Sequence, residues 1–274
     1  DAVTGGRWRL HDLARDFTRA LCEPAETDAL AYRHAAYYLN VLYACRDLYM
    51  KGNENILAGL ALFDRERANI EAGQAWAAAQ PADPAAARLC NAYPDVGFIV
   101  LDLRLHPRTQ IAWREAALTA ARALGKRDYE GAHLGSLGNR FSELGEQRRA
   151  IEYQEQALII IREIGDKRNE GTILNSLGLD WAALGEPRRA IEYHEQALVI
   201  AREIGDRRGE GNALGSLGNA YLSLGEPRRA IDYYEQHLVI TRQIGDRRGE
   251  GNALGNLGNA YLSLGEPRRA IDYY

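Results

Sequence analysis

A repeat of 40 residues dominates the second half of this 274-residue chain. Glycine recurs at positions 125, 165, 205 and 245, and again at positions 145, 185, 225 and 265. The segment that starts at Asp206 returns at Asp246 and is the same through Tyr274, except that Asn256 replaces Ser216. Repeats of this length are typical of stacked supersecondary units that bury their apolar faces against one another. The chain therefore does not need one large globular core.

Each repeat carries two apolar stripes at helical spacing. In the third repeat, Leu214, Leu217 and Tyr221 form the first stripe, and the second runs from Ala230 to Ile244. Proline stands at the start of the second stripe, where a helix loses no hydrogen bond, and the glycines stand where a helix would end. The pattern predicts two helices in each repeat, helix A and helix B.

These residues resemble the tetratricopeptide family. The segment LGSLGNAYLSLGEPRRAIDYYEQHL, at residues 214–238, is similar to the helix A and helix B signature of that family. The resemblance covers residues 125–274, and the long repeat is similar to those of kinesin light chains and spindle adaptors. It implies an all-α fold, a right-handed solenoid of helical hairpins, whose helices A line a concave groove that binds a protein or peptide.

Two weaker regions precede the clear repeats. Residues 107–124 match helix B after a shift of 80 residues, so residues 84–124 are predicted to form a diverged first repeat. Its helix A falls within residues 85–103, which contain Pro94 and Gly97. Residues 23–83 have long helical periodicity without the repeat and are predicted to form a helical linker bundle.

The first third also carries a second resemblance. RWRLHDLARDF, at residues 7–17, and LALFDRERANIEAGQAWAAA, at residues 60–79, are similar to the region between the nucleotide-binding core and the repeats of STAND (NB-ARC type) ATPases. That family implies that residues 1–22 end a winged-helix domain, and that His11 senses the phosphate of bound ADP. It also implies contact with a nucleotide-binding domain of the same polypeptide. The alternative is that His11 only begins a helix and is satisfied by the backbone.

The chain contains no G-x-x-x-x-G-K-[ST] phosphate loop and no metal-ligand or nucleophile motif. We therefore expect no catalytic residue, no metal site and no cofactor in this chain, although the parent protein would bind ATP or ADP. The net charge of −4 argues against nucleic acid, and Cys22, Cys45 and Cys90 indicate reduced thiols in a cytoplasmic protein. No apolar run is long enough to cross a membrane.

The absence of an initial Met and the stop at Tyr274 inside a repeat suggest a piece of a longer polypeptide. We expect the apolar face around Leu257 and Tyr261 to lack full cover in the last repeat.

Polar side chains on helix A are the candidate ligand contacts. Amides carry both donors and acceptors, so an asparagine ladder can pair with the backbone of an extended peptide. Glycines on the same face would let that backbone approach, unless they only permit tight helix packing. The predicted groove residues are Asn139, Asn175, Ser176, Asn212, Ser216, Asn219, Asn252, Asn256 and Asn259.

Three functions remain open from the sequence. The preferred one is the sensor or autoinhibitory region of a STAND-type signalling ATPase. The alternatives are a free-standing scaffold or adaptor, and the regulatory region of a transcriptional regulator.

Overall fold

The computed structural model describes residues 24–274, so the motif at residues 7–17, with His11, and Cys22 lie outside the described residues. The described residues form thirteen α-helices and contain no strand. The chain divides into two compact bodies, residues 1–124 and 125–274. The helices of the first body are α1 (Pro24–Met50), α2 (Glu54–Ala78), α3 (Pro84–Val96), α4 (Phe98–Arg104) and α5 (Pro107–Ala123).

The first body is built on the long pair α1 and α2. Its core contains Leu42, Phe63 and Ile70, all fully buried. The Tyr93 hydroxyl on α3 donates a 2.7 Å hydrogen bond to the Ala35 carbonyl on α1. Cys45 and Cys90 are buried free thiols, and burial raises the pKa of each to about 11, so both stay protonated at neutral pH.

The single helix A predicted within residues 85–103 is wrong. The structure places two helices there, α3 and α4, which meet at Gly97. A β-carbon on Gly97 would lie 2.8 Å from the Leu42 side chain, so a larger residue would clash with α1. Pro94 lies inside α3 and removes one backbone donor from its last turn. Gly97 therefore allows the chain to pack closely on α1 at the point where α3 ends and α4 begins.

The second body consists of four helical hairpins at the predicted positions. They are numbered repeats 1–4 from residue 125 onward, without the diverged segment at residues 84–124. From repeat 2 onward, each helix A packs against helix B of its own repeat and helix B of the preceding repeat. The pairs are repeat 1, α6 (Arg127–Glu143) and α7 (Gln147–Ile164); repeat 2, α8 (Lys167–Ala183) and α9 (Pro187–Glu203); repeat 3, α10 (Arg207–Ser223) and α11 (Pro227–Ile244); repeat 4, α12 (Arg247–Ser263) and α13 (Pro267–Ile271).

The glycine columns end the helices as the sequence predicts. Every glycine of both columns has a positive φ, between 62° and 82°, a conformation that strains a residue with a β-carbon. After Gly225, the Glu226 N–H donates to the Tyr221 carbonyl at 3.0 Å and closes the last turn of α10. The loop therefore turns directly into helix B, where Pro227 takes the first position.

In repeats 2 and 3, a buried glutamate ties the repeat to the one before it. Glu170 on α8 is only 6 % exposed and accepts hydrogen bonds from Arg162 of α7 at 2.7 Å and from Lys167 at 2.9 Å. Glu210 occupies the same position one repeat later and accepts from Arg202 at 2.9 Å. The carboxylate is buried between two cations, so the register of neighbouring repeats is fixed by charge as well as by apolar packing.

The expectation of incomplete cover around Leu257 and Tyr261 is also wrong, because both are buried. The Tyr273 ring stacks on Tyr261 with centroids 5.3 Å apart, the same contact that Tyr233 makes with Tyr221 one repeat earlier. The open surface lies nearer the start of α12, since a β-carbon on Gly251 or Gly255 would meet no atom within 4 Å.

Candidate functional site

Three pockets follow one another along the helices A of the second body. Each lies between successive helices A and is floored by the helix B between them. The first pocket joins repeats 1 and 2, the second joins repeats 2 and 3, and the third joins repeats 3 and 4. Their volumes are about 180, 100 and 440 Å³ respectively. We call this continuous surface the groove.

Eight of the nine predicted groove residues line these pockets. Asn259 is the exception: it is exposed and is not among the residues that line the three pockets. The lining residues are Asn139 and Ser176 in the first pocket, Asn175, Ser176 and Asn212 in the second, and Asn175, Asn212, Ser216, Asn219, Asn252 and Asn256 in the third.

One asparagine position has a structural partner. The Tyr234 hydroxyl donates to Asn219 Oδ1 at 2.7 Å, and the Tyr274 hydroxyl donates to Asn259 Oδ1 at the same distance. In repeat 1 the Gln154 amide makes a longer contact of 3.4 Å with Asn139. In these three repeats the donor lies 15 residues after the asparagine, on helix B for Gln154 and Tyr234 and just after α13 for Tyr274. The sequence did contain a signal for this contact, because a side chain with a hydrogen-bond donor recurs 15 residues after the asparagine. That signal was not used in predicting the groove.

Repeat 2 makes the equivalent contact differently. Leu179 occupies the asparagine position, and the buried His194 bonds instead to Asn175 Oδ1, with 2.9 Å between Nδ1 and Oδ1. Burial lowers the pKa of His194 to about 4, so the ring is neutral at pH 7. An amide oxygen can only accept, so Nδ1 carries the proton. Asn175 therefore holds the hairpin together and lines the groove at the same time.

The other asparagines keep more of their hydrogen-bonding capacity. The side chains of Asn212 and Asn252, which lie 40 residues apart, are exposed and have no hydrogen bond to another described residue. Asn256 donates to Asn219 Oδ1 at 3.3 Å, which links helices A of repeats 3 and 4. Ser216 is half-buried beside them. These four side chains offer several donors and acceptors to a molecule in the third pocket.

The glycines of helix A fit packing better than ligand approach. Gly215 is buried, and a β-carbon there would lie 3.0 Å from His237 of α11. Gly218 is tighter, because its β-carbon would lie 2.4 Å from the Tyr234 ring. These contacts favour the tight-packing interpretation at both positions, and Gly215 also lines the third pocket. On helix A of repeat 4, in contrast, Gly251 and Gly255 open onto free space.

The third pocket is also lined by charged side chains and an imidazole ring that were not predicted as groove residues. His237 and Thr241 of α11 form part of its floor, and Arg208 and Arg248 line it at the starts of α10 and α12. Burial lowers the pKa of His237, and nearby Asp246 opposes that shift. His237 Nδ1 is buried and has no hydrogen-bond partner among the described residues. The available signal was the change of Ala197 and Ala201 to His237 and Thr241 between near-identical repeats.

Residues 24–274 hold no cluster of three or more His, Cys, Asp or Glu side chains that could bind a metal ion. None of its helices is both long and apolar enough to cross a membrane.

Comparison with known proteins identifies the hairpins. Family profiles described as tetratricopeptide repeat match residues 131–164, 169–243 and 253–274. These segments are tetratricopeptide repeats. No curated protein sequence is significantly similar to the chain.

Several solved structures share this fold. BtubC (BKLC) from P. vanneervenii has a TM-score of 0.61 and 19% identity, over 89% of this chain and 87% of that chain. Aspartyl phosphate phosphatase F from Bacillus subtilis has a TM-score of 0.65 and 13% identity, over 92% of this chain and 73% of that one. A Rap protein complexed with competence and sporulation factor has a TM-score of 0.60 and 14% identity, over 92% and 75%. At these identities the likeness concerns the fold.

Proposed function

We propose that the tetratricopeptide repeats bind an extended segment of a protein along the groove, mainly through its backbone. The observation that carries the proposal is the pair Asn212 and Asn252. Both side chains are exposed, line the third pocket on neighbouring helices, and have no hydrogen bond to another described residue. A peptide backbone presents alternating donors and acceptors, and each amide offers both.

The size and recurrence of the groove support a chain-like ligand. Packed helices lie roughly 8–10 Å apart, and an extended chain rises about 3.3 Å per residue, so each repeat faces about three ligand residues. The third pocket, of about 440 Å³, has room for more than one side chain. Tetratricopeptide repeats are typically binding modules, and the Rap neighbour, which shares the fold, was solved with a bound factor.

We also propose that this chain is the sensor or autoinhibitory region of a STAND-type signalling ATPase in the cytoplasm. The support is the order of segments along the sequence: the stretch at residues 7–17, the helix that ends near Trp76, and then the repeats. In this role the bound segment would belong to an activating ligand or to the nucleotide-binding domain. His11 would sense the nucleotide phosphate, and ATP or ADP would bind outside this chain.

The groove proposal can be tested without a known ligand. A phage-displayed library of random peptides of about ten residues, roughly 33 Å when extended, would be selected on the full chain. Selected peptides should bind at least tenfold more weakly to Asn212→Ala/Asn252→Ala, because each lost hydrogen bond costs about 1 kcal/mol. The matched control is Glu152→Ala/Asp232→Ala, on exposed positions of helix B. Equal binding to all three proteins would refute the groove assignment.

The sensor proposal needs a separate test. The DNA upstream of the Asp1 codon should encode a phosphate loop about 200–300 residues earlier. In that protein, the Asn212→Ala/Asn252→Ala variant should change the ATPase rate, whereas the helix B control should not. If the open reading frame encodes no phosphate loop, the sensor role is rejected and the free-standing scaffold or adaptor function is favoured.

A further inference from the structure

Helices B of repeats 2 and 3 differ at two positions that line the groove. Residues 187–206 and 227–246 have the same residue at every equivalent position except five. Three of those five, including Ala197 against His237 and Ala201 against Thr241, are buried. Near-identical repeats have thus diverged where helix B forms the floor of a pocket. The five pairs are 192/232, 194/234, 197/237, 201/241 and 203/243.

The changes at positions 197/237 and 201/241 give the second and third pockets different floors. The second pocket is floored by Ala197, Ile200 and Ala201, which offer no polar side-chain atom. The third pocket has His237 and Thr241 in place of the two alanines. The Thr241 hydroxyl already donates to the Leu238 carbonyl at 3.0 Å, so it shapes the floor without offering a donor. The imidazole of His237 is the new polar group.

The third pocket also has an excess of positive charge. Arg208 and Arg248 are exposed, and neither forms an ion pair with another described residue. Asp246 is the acidic group in the pocket, and its Oδ1 accepts from the Gly249 N–H at 2.9 Å as the cap of α12. Apart from His237, the two arginines and one aspartate leave a formal charge of +1. The second pocket has one arginine, Arg168, and one aspartate, which cancel.

We propose that the third pocket selects an acidic side chain of the bound segment, held by Arg208, Arg248 and His237, and that the second pocket takes a small apolar side chain. This assignment rests on the proposed groove function and adds a sequence preference to it. A carboxylate suits the pocket because arginine donates to it with strong, charge-assisted hydrogen bonds. His237 Nδ1 has no partner among the described residues, so the ring can place its proton on whichever nitrogen faces the ligand.

Selecting peptides on two proteins whose third pockets have different floors tests the assignment. The same random-peptide library would be selected on the wild-type chain and on His237→Ala/Thr241→Ala, whose floor copies that of the second pocket. Wild-type peptides should share Asp or Glu at one fixed position. The variant keeps both arginines but lacks the imidazole, so its preference for Asp or Glu should weaken and small apolar residues should also be selected there. The assignment is overturned if both proteins select Asp or Glu at that position equally often.

A second variant removes the charge without touching the floor. For the best wild-type peptide, replacing its Glu by Gln should weaken binding about tenfold, the effect of losing one hydrogen bond to a charged group. In Arg208→Gln/Arg248→Gln, both exposed positions, that difference should fall below about threefold. An undiminished tenfold difference would place the acidic side chain elsewhere.

The outcomes also separate this assignment from the groove function. Peptides that bind through Asn212 and Asn252 but share no acidic position would refute only the pocket preference. If no peptide is selected over the Asn212→Ala/Asn252→Ala variant, the groove function and the pocket preference both fail.

Discussion

The Tyr234 hydroxyl and Asn219 Oδ1 lie 2.7 Å apart and join helix B of repeat 3 to its helix A. Tyr234 is fully buried, and burial raises the pKa of its hydroxyl to about 12, so it remains a donor throughout the physiological range. Asn219, in contrast, is exposed at the edge of the third pocket. One hydrogen bond thus connects the apolar interior of the hairpin to the candidate binding surface.

Removing that hydroxyl should destabilise the repeats. In Tyr234→Phe the ring still packs against Gly218, but Asn219 loses a donor, so we expect the free energy of unfolding to fall by about 1 kcal/mol. Urea denaturation followed by circular dichroism measures the change. Tyr193→Phe is a suitable control, because Tyr193 is half-buried and has no hydrogen bond to another described residue. Equal losses in the two variants would mean that the Tyr234 contact contributes nothing.

The period of the sequence was enough to predict the hairpins. Gly225 and Pro227 define a helix end and a helix start by backbone geometry alone, and the structure agrees at both. The partner of Asn219 was harder to predict. A polar residue at helical spacing is normally expected to face solvent, and only the partner on the other helix shows otherwise. Likewise, the close contact of Gly97 with Leu42 of α1 depends on tertiary packing that the sequence pattern does not show.

Acid should weaken the fold through His194. Its pKa is about 4 in the folded chain and near 6.5 when unfolded, so the unfolded state binds the proton first as pH falls. The contribution of the neutral ring is complete above pH 6.5 and decreases between pH 6.5 and 4. At pH 5 the loss is about 2 kcal/mol. The test compares urea midpoints at pH 7.5 and 5 for the wild type and for His194→Gln, which copies Gln154 of repeat 1. The prediction fails if the variant loses as much stability as the wild type.

Breaking the ion pairs between repeats should cost more than breaking surface contacts. Burial opposes ionisation of Glu170, but the hydrogen bonds from Arg162 and Lys167 outweigh it, and the pKa of its carboxyl is lowered overall. Glu170→Gln leaves two cations without their carboxylate, and we expect a loss of about 1–2 kcal/mol, limited by the exposure of both cations. Thermal unfolding compared with Glu192→Gln, an exposed residue of α9, measures it. A loss no larger than that of the control would assign the register to apolar packing.

The predicted groove residues divide according to their partners. A run of asparagines at a period of 40 residues looks uniform in the sequence. Yet Asn139, Asn219 and Asn259 each accept a hydrogen bond from the residue 15 positions later in their own repeat. The side chains of Asn212 and Asn252 have no hydrogen bond to another described residue. The difference depends on which face of helix A each residue occupies relative to helix B. The proposed ligand contacts are therefore concentrated in the second group.

This division predicts two classes of variant. Asn212→Ala and Asn252→Ala should each weaken binding of a selected peptide about fivefold, equivalent to about 1 kcal/mol, and should leave the free energy of unfolding unchanged within about 0.5 kcal/mol. Asn219→Ala should lower both, since it leaves the buried Tyr234 hydroxyl without its acceptor. Asn259→Ala should lower stability alone, because Asn259 is not among the residues that line the three pockets. Fluorescence polarisation with a labelled peptide and urea denaturation on the same preparations separate the two effects. Loss of stability in Asn212→Ala comparable to that in Asn219→Ala would show that the exposed amides are structural and that the groove contacts are misassigned.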